Sequence, residues 1–288
     1  MTSPVRPRRS ALFMPGSNAR AMEKARTLPA DVIIFDLEDA VAPDAKTRAR
    51  ADAAAAARTG GYGAREVVIR INGLGTPWGR EDVIAVAHAG ADAVLVPKVE
   101  SAQGVREIRD ALASVGAPGA LAIWCMLETP RGVLEAGAIA SVPGVGALVM
   151  GTSDLTKDLH ARHSRDRQPL IASLGLSVLA ARAAGVAALD GVHLDLDDHA
   201  GLVAACHQAR DMGFDGKTLI HPKQIDAANA AFAPAAAEIA WARRVLAAHT
   251  EAEANGRGVA LLDGRLVENL HVDDAHRVIA LAAAIAAR

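Results

Sequence analysis

The stretch Val32–Asp39, with the sequence VIIFDLED, passes within eight residues from four consecutive apolar side chains to three carboxylates. The apolar part is short and rich in β-branched residues, which is typical of a strand that is buried on both faces. Parallel α/β folds carry their functional groups where such strands end. The stretch therefore predicts a buried strand that runs directly into a candidate site.

The same pattern recurs along the chain, with short apolar runs alternating with longer, alanine-rich amphipathic stretches. Strands are predicted at residues 10–15, 31–37, 66–71, 93–97, 121–128, 146–151, 190–195 and 216–220. Helices are predicted at residues 18–28, 43–58, 79–89, 101–114, 130–140, 168–184, 198–212 and 222–231. Eight strand–helix units in about this length favour an α/β fold of the (β/α)8 TIM-barrel type, with a doubly wound open sheet as the alternative.

The pattern changes after residue 232, so we expect a TIM barrel over residues 1–232 and a C-terminal helical and hairpin extension over residues 233–288. A long helix is predicted at 234–254 and a last helix at 273–287. Between them, residues 256–267 have the pattern of a short hairpin with Asp263-Gly264 at its turn. The extension is expected to pack on the barrel or to reach a neighbouring subunit.

The net charge and the cysteine content exclude several classes of function. The formal net charge is -2, which gives no support for a nucleic-acid or membrane-surface partner. The two cysteines, Cys125 and Cys206, are far apart and form neither a disulfide framework nor a metal-binding motif. We therefore expect a cytoplasmic protein with a small-molecule substrate.

Acids and cations follow most of the predicted strands, and the carboxyl ends of barrel strands meet on one face. They are Asp36, Glu38, Asp39, Arg70, Asn72, Lys98, Glu128, Asp154, Asp190 or Asp195, and His221. Glu128 closes an apolar strand, so its carboxylate needs a cation: Arg70, Lys98 or a metal. Glu128 and Asp154, on adjacent strands, form a natural pair of oxygen ligands for Mg²⁺, and Mn²⁺ suits the same ligands.

Some of these residues also have simpler interpretations. A carboxylate after a strand is often a helix N-cap, which is an alternative for Asp154 and for the run that begins at Asp36. His221 is either a base or a structural corner. His160 and His163 lie among arginines, which favours a solvated loop, able to meet an anionic substrate, over a metal site.

Several other chemistries lack their motifs. The chain has no Gly-x-Ser-x-Gly nucleophile elbow and no P-loop. No Gly-x-Gly-x-x-Gly sequence follows a predicted strand, which removes the usual signature of a dinucleotide site.

The ordered set of motifs resembles a known family over nearly the whole chain. The motifs are RSALFMPG at 9–16, DLEDAV at 36–41, VIRING at 68–73, PK at 97–98, LET at 127–129, GTSDL at 151–155 and GKTLIHPKQ at 216–224. They are similar to the citrate lyase β-subunit-like (CitE-like) branch of the HpcH/HpaI aldolase superfamily. The tail DGRLVENLH at 263–271 is most similar to the malyl-CoA thioesterase group of that branch, which also contains malyl-CoA and citramalyl-CoA lyases.

The resemblance implies roles for individual residues. Glu128 and Asp154 match the family's Mg²⁺ ligands, and Arg70 matches the arginine that contacts the thioester or enolate oxygen. Phe13 and Lys24 match positions that contact coenzyme A.

Two positions depart from the lyase pattern. A further CoA-contacting arginine of the lyases is replaced here by Asn18. Glu268 stands where the lyases carry an aspartate that acts as acid/base in the neighbouring active site. The carboxylate is kept but is one methylene longer, and displacements of about 1 Å can cost about 100-fold in rate.

The resemblance also implies an oligomer, a homotrimer or a dimer of trimers, and a CoA-thioester substrate. We expect Mg²⁺-dependent hydrolysis of (3S)-malyl-CoA to malate and CoA. The alternatives are a lyase that splits malyl-CoA, β-methylmalyl-CoA or citramalyl-CoA, a citrate lyase β-like subunit that docks an acyl-carrier protein, and a metal-assisted aldolase acting on free 2-oxo acids. We expect Asp36, Glu38 and Asp39 to hold Arg70 and Lys98 in place.

Overall fold

Eight parallel strands close into a barrel, in which each strand pairs with the next and the eighth pairs with the first. A computed structural model describes residues 5–256 and 259–288. The barrel strands are β1 (Ser10–Pro15), β2 (Val32–Asp36), β3 (Glu66–Arg70), β4 (Ala93–Val96), β5 (Ala122–Leu127), β6 (Val145–Met150), β7 (Ala187–Asp190) and β8 (Gly216–Leu219). The (β/α)8 prediction is confirmed, and the open doubly wound sheet is excluded because β1 and β8 are paired.

Helices follow the strands. They are α1 (Ala19–Lys24), α2 (Lys46–Thr59), α3 (Gly79–Ala87), α4 (Ala102–Ser114), α5 (Pro130–Leu134), α6 (Ala136–Ala140), α7 (Thr152–Asp158), α8 (Ile171–Ala184), α9 (His199–Met212) and α10 (Ile225–Phe232). Several of their buried positions are alanines, such as Ala49, Ala53 and Ala57 of α2, which recur every fourth residue. Small side chains at this spacing give α2 a narrow buried face.

The predicted seventh strand at 190–195 is misplaced, because β7 ends at Asp190. Residues 187–189 pair with β6, and Leu189 and Asp190 pair with β8, whereas the residues after Gly191 run along the rim of the barrel as a loop. Two helical features also differ from prediction. The stretch 130–140 is two short helices broken at Glu135, and α7 directly after β6 was not predicted.

The barrel interior is filled by alternate strand residues, as a period of two requires. Val32 and Ile34 of β2, Val68 of β3 and Trp124 and Met126 of β5 belong to one fully buried cluster. The next residue in the same alternation is Asp36 in β2, Arg70 in β3 and Glu128 just after β5. The alternation therefore places these three polar side chains above the apolar filling, at the carboxyl end of the barrel.

The structure separates into two compact units, which are residues 8–232 and residues 233–288 together with 5–7. The second unit contains α11 (Ala236–Ala254), a hairpin of β9 (Ala260–Leu262) and β10 (Arg265–Val267), and α12 (Asn269–Ala286). Its core includes Val245, Val267 and Val278.

The hairpin of the second unit turns at Asp263-Gly264 as predicted. Both residues have positive φ, as a type I′ turn requires. Residues 257 and 258, which belong to the predicted 256–267 hairpin segment, lie outside the described residues. No helix in the described part of the chain is long and apolar enough to cross a membrane.

Candidate active site

Arg70 is the central cation at the carboxyl end of the barrel. Its Nε and Nη2 atoms each donate a hydrogen bond of 2.6 Å to the carboxylate of Asp36. Its Nη1 atom lies 2.9 Å from Glu38 Oε2 and 3.8 Å from Asp39 Oδ2. The guanidinium carbon lies 4.8 Å from the centre of the Phe13 ring. Arg70 is thus fixed on three sides by acids and on one face by an aromatic ring.

The environment of Arg70 keeps it charged. Burial by itself would lower its pKa, but the hydrogen bonds and negative charge of Asp36, with the charges of Glu38 and Asp39, more than offset burial and raise the pKa. The Asp36 carboxylate also accepts the backbone N–H groups of Glu38 and Ala40. Asp36 therefore stabilises the turn that follows β2 and orients Arg70 at the same time. Residues 37–40 form bends and turns rather than the start of a helix, so the helix N-cap interpretation is wrong for Asp36.

Lys98 follows β4 in a left-handed conformation, with φ of 49°. Its ammonium lies 2.9 Å from Glu38 Oε1, 3.5 Å from Asp154 Oδ2 and 4.0 Å from Glu128 Oε1. The pKa of Lys98 is raised, because the hydrogen bond to Glu38 and the surrounding carboxylates outweigh the effect of burial. A single ammonium thus lies among three acids.

Glu128 is almost completely buried, with 2% of its surface exposed. Its Oε1 accepts the backbone N–H of Lys98 at 2.7 Å. Burial, and next the charge of Glu38, raise its pKa to about 7, although Lys98 and Arg70 act in the opposite direction. Burial also raises the pKa of Glu38. Two neighbouring carboxylates are therefore costly to ionise here unless a further cation is present.

Gly151, the residue between β6 and α7, makes room for Glu128. An ideal Cβ at residue 151 would overlap both Cβ and Oε2 of Glu128. The glycine is required by this close approach, since its own φ is negative.

A cavity of about 370 Å³ opens beside these side chains. Of the residues singled out from the sequence, those that line it are Phe13, Asp36, Asp39, Arg70, Glu128 and Asp154. Glu38 and Lys98 are joined to this group by the contacts above. Lys24 is exposed at the end of α1, and Glu268 is exposed at the residue before α12 in the second unit.

The residues present fit a divalent cation. Five carboxylates of Asp36, Glu38, Asp39, Glu128 and Asp154 surround only two cationic side chains. Among the described residues, no three His, Cys, Asp or Glu side chains form a complete metal cage. Two carboxylates with open positions suit Mg²⁺, which usually keeps waters and binds substrate oxygens.

Other residues have structural roles. Nδ1 of His221 accepts the backbone N–H of Lys223, and the Gln224 side chain accepts the N–H of His221, so this residue forms a corner. Asn18 caps α1 by accepting the N–H of Ala21. Burial raises the pKa of the Cys125 thiol to about 12, which leaves it inert.

Sequence reasoning missed Gly151 and Met126. The sulfur of Met126 lies 3.7 Å from Arg70 Nη1, and Met126 lines the cavity. The sequence indicates a place for Met126 in the site only through its position two residues before Glu128, because residues two apart on a strand share a face.

A TIM barrel with an acid-rich, arginine-centred cavity at the carboxyl ends of its strands is typical of an enzyme that stabilises negative charge. The chain belongs to the HpcH/HpaI aldolase/citrate lyase family, whose model matches residues 9–222. This finding confirms the resemblance read from the motifs.

Individual relatives are similar over the whole chain. A (3S)-malyl-CoA thioesterase of Cereibacter sphaeroides is 50% identical over 287 residues, covering 100% of this chain and 99% of the relative. A citrate lyase subunit beta of Leuconostoc mesenteroides is 38% identical, covering 96% of this chain and 93% of the relative.

Solved structures that are similar to this chain include CitE of Mycobacterium tuberculosis in complex with magnesium, acetoacetate and coenzyme A. It is 32% identical, with a TM-score of 0.77, and covers 96% of this chain and 98% of that chain. The relatives thus include enzymes that act on CoA thioesters and a structure that contains magnesium.

Proposed function

We propose that this protein hydrolyses (3S)-malyl-CoA to malate and CoA in a reaction that depends on Mg²⁺. The observation that carries the proposal is the 50% identity, over the entire chain, with a (3S)-malyl-CoA thioesterase. The site agrees with it, because thioester hydrolysis is accelerated by hydrogen-bond donors or positive charge at the developing oxyanion and by an anchor for the acyl group. Two buried and unpaired cysteines also favour a reducing compartment, and we propose the cytoplasm.

Glu128 and Asp154 would hold the metal. Bound there, the ion supplies positive charge that orients the malyl carboxylate and hydroxyl. We propose Mg²⁺ as the metal because the CitE complexes contain magnesium. Mn²⁺ suits the same oxygen ligands.

Arg70 stabilises the oxyanion that forms when water attacks the thioester carbon. Two of its nitrogens are held by Asp36, so the side chain is already oriented before substrate binds. Preorganised charge of this kind avoids a reorganisation cost during the reaction. Glu38 and Asp39 assist in positioning Arg70, and Glu38 also positions Lys98.

Phe13 and Lys24 are proposed to contact the coenzyme A part of the substrate. Phe13 lines the cavity beside Arg70. Lys24 presents an exposed ammonium at the end of α1 that suits a phosphate.

Glu268 is proposed as the acid/base, supplied to each active site by a neighbouring copy in a homotrimer or dimer of trimers. A mixing experiment tests this directly. Arg70→Lys and Glu268→Gln variants are each expected to be nearly inactive, and co-refolded mixtures should regain part of the activity because some sites receive both intact residues. Absence of recovery would mean that Glu268 acts in the active site of its own chain, together with Arg70, or that Glu268 takes no part in the reaction.

A lyase is the second candidate, favoured by the 38% identity with a citrate lyase subunit beta. Retro-Claisen cleavage would use the same charges, since Arg70 can stabilise an acetyl-CoA enolate as well as an oxyanion. Incubation with (3S)-malyl-CoA, with Mg²⁺ and with EDTA, separates the two reactions by product mass. Malate and CoA that disappear with EDTA are expected, whereas acetyl-CoA and glyoxylate would establish the lyase.

A further inference from the structure

Lys46, the first residue of α2, is a buried lysine to which the proposed reaction assigns no role. Only 6% of its surface is exposed, and it lies outside the wall of the catalytic cavity. Its ammonium donates hydrogen bonds of 2.9 Å to the backbone carbonyls of Leu37 and Glu38. The ring of Trp78 lies against the ammonium, with its centre 5.0 Å from Nζ. Lys46 therefore holds the backbone of the two residues that directly follow β2.

A buried lysine is unfavourable at the first position of a helix. The helix N-terminus carries a partial positive charge, which favours acids over cations in the first turn. Burial also removes the ammonium from water, and among the described residues no carboxylate forms an ion pair with it in compensation. The stability of α2 thus gives no reason for a lysine at residue 46, whereas its two contacts with the loop after β2 do.

The same loop is also tied to the residues that follow β3. Asn72 Nδ2 donates to the Leu37 carbonyl at 2.9 Å, so this oxygen accepts from both Asn72 and Lys46. Asp82 of α3 fixes Asn72, because its Oδ2 accepts the backbone N–H at 2.9 Å and the side-chain amide at 2.6 Å. Leu37, Asn72 and Asp82 are all buried. Two separate donors therefore fix the backbone immediately before Glu38.

The position of this backbone matters because Glu38 contacts both cations of the site. Its Oε2 lies 2.9 Å from Arg70 Nη1, and its Oε1 lies 2.9 Å from Lys98 Nζ. A shift of the Glu38 backbone would withdraw the carboxylate from one cation or from both. Displacements of about 1 Å at groups that position a reacting centre can cost about 100-fold in rate.

We propose that Lys46 is a positioning residue of the active site, which holds the backbone of Leu37 and Glu38 so that the Glu38 carboxylate keeps Arg70 and Lys98 in place before substrate binds. Lys46 acts through Glu38 and takes no part in the chemistry itself. The consequence for the reaction rests on the proposed function, whereas the hold on the loop does not. The two parts are therefore tested separately.

The hold on the loop is tested without substrate, by amide hydrogen exchange of the full chain in EDTA, read by mass spectrometry. Lys46→Met removes the donors and keeps an unbranched apolar stem, and the amides of residues 36–41 should then exchange about tenfold or more faster than in the natural protein. Arg48→Met is the matched control, because it removes a cation from the same helix at a side chain that is 88% exposed. It should leave this exchange unchanged.

Lys46→Gln, a shorter polar side chain, is the second variant and should accelerate the same exchange if the Met variant does not fold. Unchanged exchange over residues 36–41 in a folded Lys46 variant would overturn the inference.

The route through Glu38 is tested by a double-mutant cycle on the turnover of (3S)-malyl-CoA with Mg²⁺. Lys46→Met should lower kcat about tenfold and change KM less than about twofold, because Lys46 is proposed to act on the charged groups and not on the substrate. In a Glu38→Gln background the same substitution should lower kcat less than about twofold, because the contact through which it acts is already lost.

The outcomes of the two tests are distinct. A loss of about tenfold in both backgrounds would overturn the positioning role, since Lys46 would then act independently of Glu38. A natural protein that turns over no malyl-CoA would refute the proposed function, and hydrogen exchange over residues 36–41 would still decide whether Lys46 holds the loop that carries Glu38.

Discussion

Asp36 and Arg70 are direct neighbours in the register of β2 and β3, and their side chains form two parallel hydrogen bonds of 2.6 Å. The ion pair is therefore specified by strand pairing, since both residues continue the inward-facing alternation of their strands. It fixes the direction of the guanidinium in a nearly water-free position, because Arg70 is 7% exposed.

Replacing Arg70 by Lys should reduce kcat for (3S)-malyl-CoA by about 100-fold, the usual effect of removing one preorganised oxyanion donor. Lysine keeps the charge but cannot form the two-pronged contact with Asp36, so its ammonium would be free to move. Steady-state kinetics measure the loss, and circular dichroism monitors the fold. A decrease of only a few-fold would show that Arg70 serves the structure rather than the reaction.

Gly151→Ala should also inactivate the protein, although residue 151 carries no functional group. The added methyl would displace Glu128, whose Cβ and Oε2 occupy that space. Activity and Mg²⁺ affinity should fall together, and isothermal titration calorimetry measures the latter.

Gly175→Ala is the matched control, because a Cβ at that position in α8 would meet no atom within 4 Å apart from the neighbouring backbone of its own helix. It should retain full activity and gain up to about 1 kcal/mol of stability from helix propensity. Equal activity of the two alanine variants would contradict the steric role of Gly151.

Much of the barrel could be predicted because its strands are buried on both faces and therefore appear in the sequence as apolar runs. β1 was predicted to the residue, and β2 to within one residue at either end. β7 could not be located as well, because its apolar residues Ala187–Leu189 are followed by Val192 and Leu194 of a rim loop. Only strand pairing, which is not local, distinguishes the two segments.

The site was predictable to the extent that polar residues follow strands. The positions of Asp36, Arg70 and Glu128 at one end of the barrel follow from their place in the alternation. The left-handed conformation of Lys98 and the contact between Gly151 and Glu128 depend on how loops of different strands approach each other. Such contacts have no signature in a single sequence.

Asp154→Ala should abolish turnover without unfolding the protein, because Asp154 is one of the two proposed metal ligands and its side chain is 34% exposed. Its removal leaves no buried group unpaired. The expected result is loss of both malyl-CoA hydrolysis and Mg²⁺ binding, with an unchanged melting temperature in EDTA. Near-normal turnover would refute the assignment of Asp154 to the metal.

Glu128→Gln should stabilise the metal-free protein at alkaline pH. The pKa of Glu128 is raised in the folded protein from its usual 4.5 to about 7, so ionisation is less favourable in the folded state than in the unfolded state. The resulting penalty is absent below pH 4.5, grows between 4.5 and 7 and is constant above 7, where it amounts to about 3 kcal/mol. Glutamine removes the penalty while still accepting the N–H of Lys98.

The measurement is the free energy of unfolding in EDTA at pH 5 and pH 8. The Gln variant should exceed the natural protein at pH 8 by much more than at pH 5, and it should be inactive at both. A variant that is less stable at pH 8 would show that the ionised carboxylate is compensated by its neighbours.

Asp190→Asn should destabilise the barrel strongly, because Asp190, the last residue of β7, lies between the cationic side chains of Lys217 and Arg167. Lys217 donates to Asp190 Oδ2 at 2.7 Å, and both residues are essentially without exposed surface. Removing one member of a buried pair leaves the other charge unpaired, which typically costs about 3–5 kcal/mol. The exposed Asp211→Asn variant is the control, and chemical denaturation at pH 7 measures the difference.

The pH dependence of stability tests the same ion pair independently. Burial alone would raise the pKa of Asp190, but the charges of Lys217 and Arg167 hold it below its usual 3.8. A carboxylate with a lowered pKa contributes stability that is complete above the unfolded value and is lost as the pH falls through the folded value. The natural protein should therefore lose stability below about pH 4 more steeply than the Asn variant, which has no carboxylate to protonate. Parallel acid-denaturation profiles for the two proteins would mean that the pKa of Asp190 is the same in the folded and unfolded states, which would contradict its stabilisation by Lys217 and Arg167.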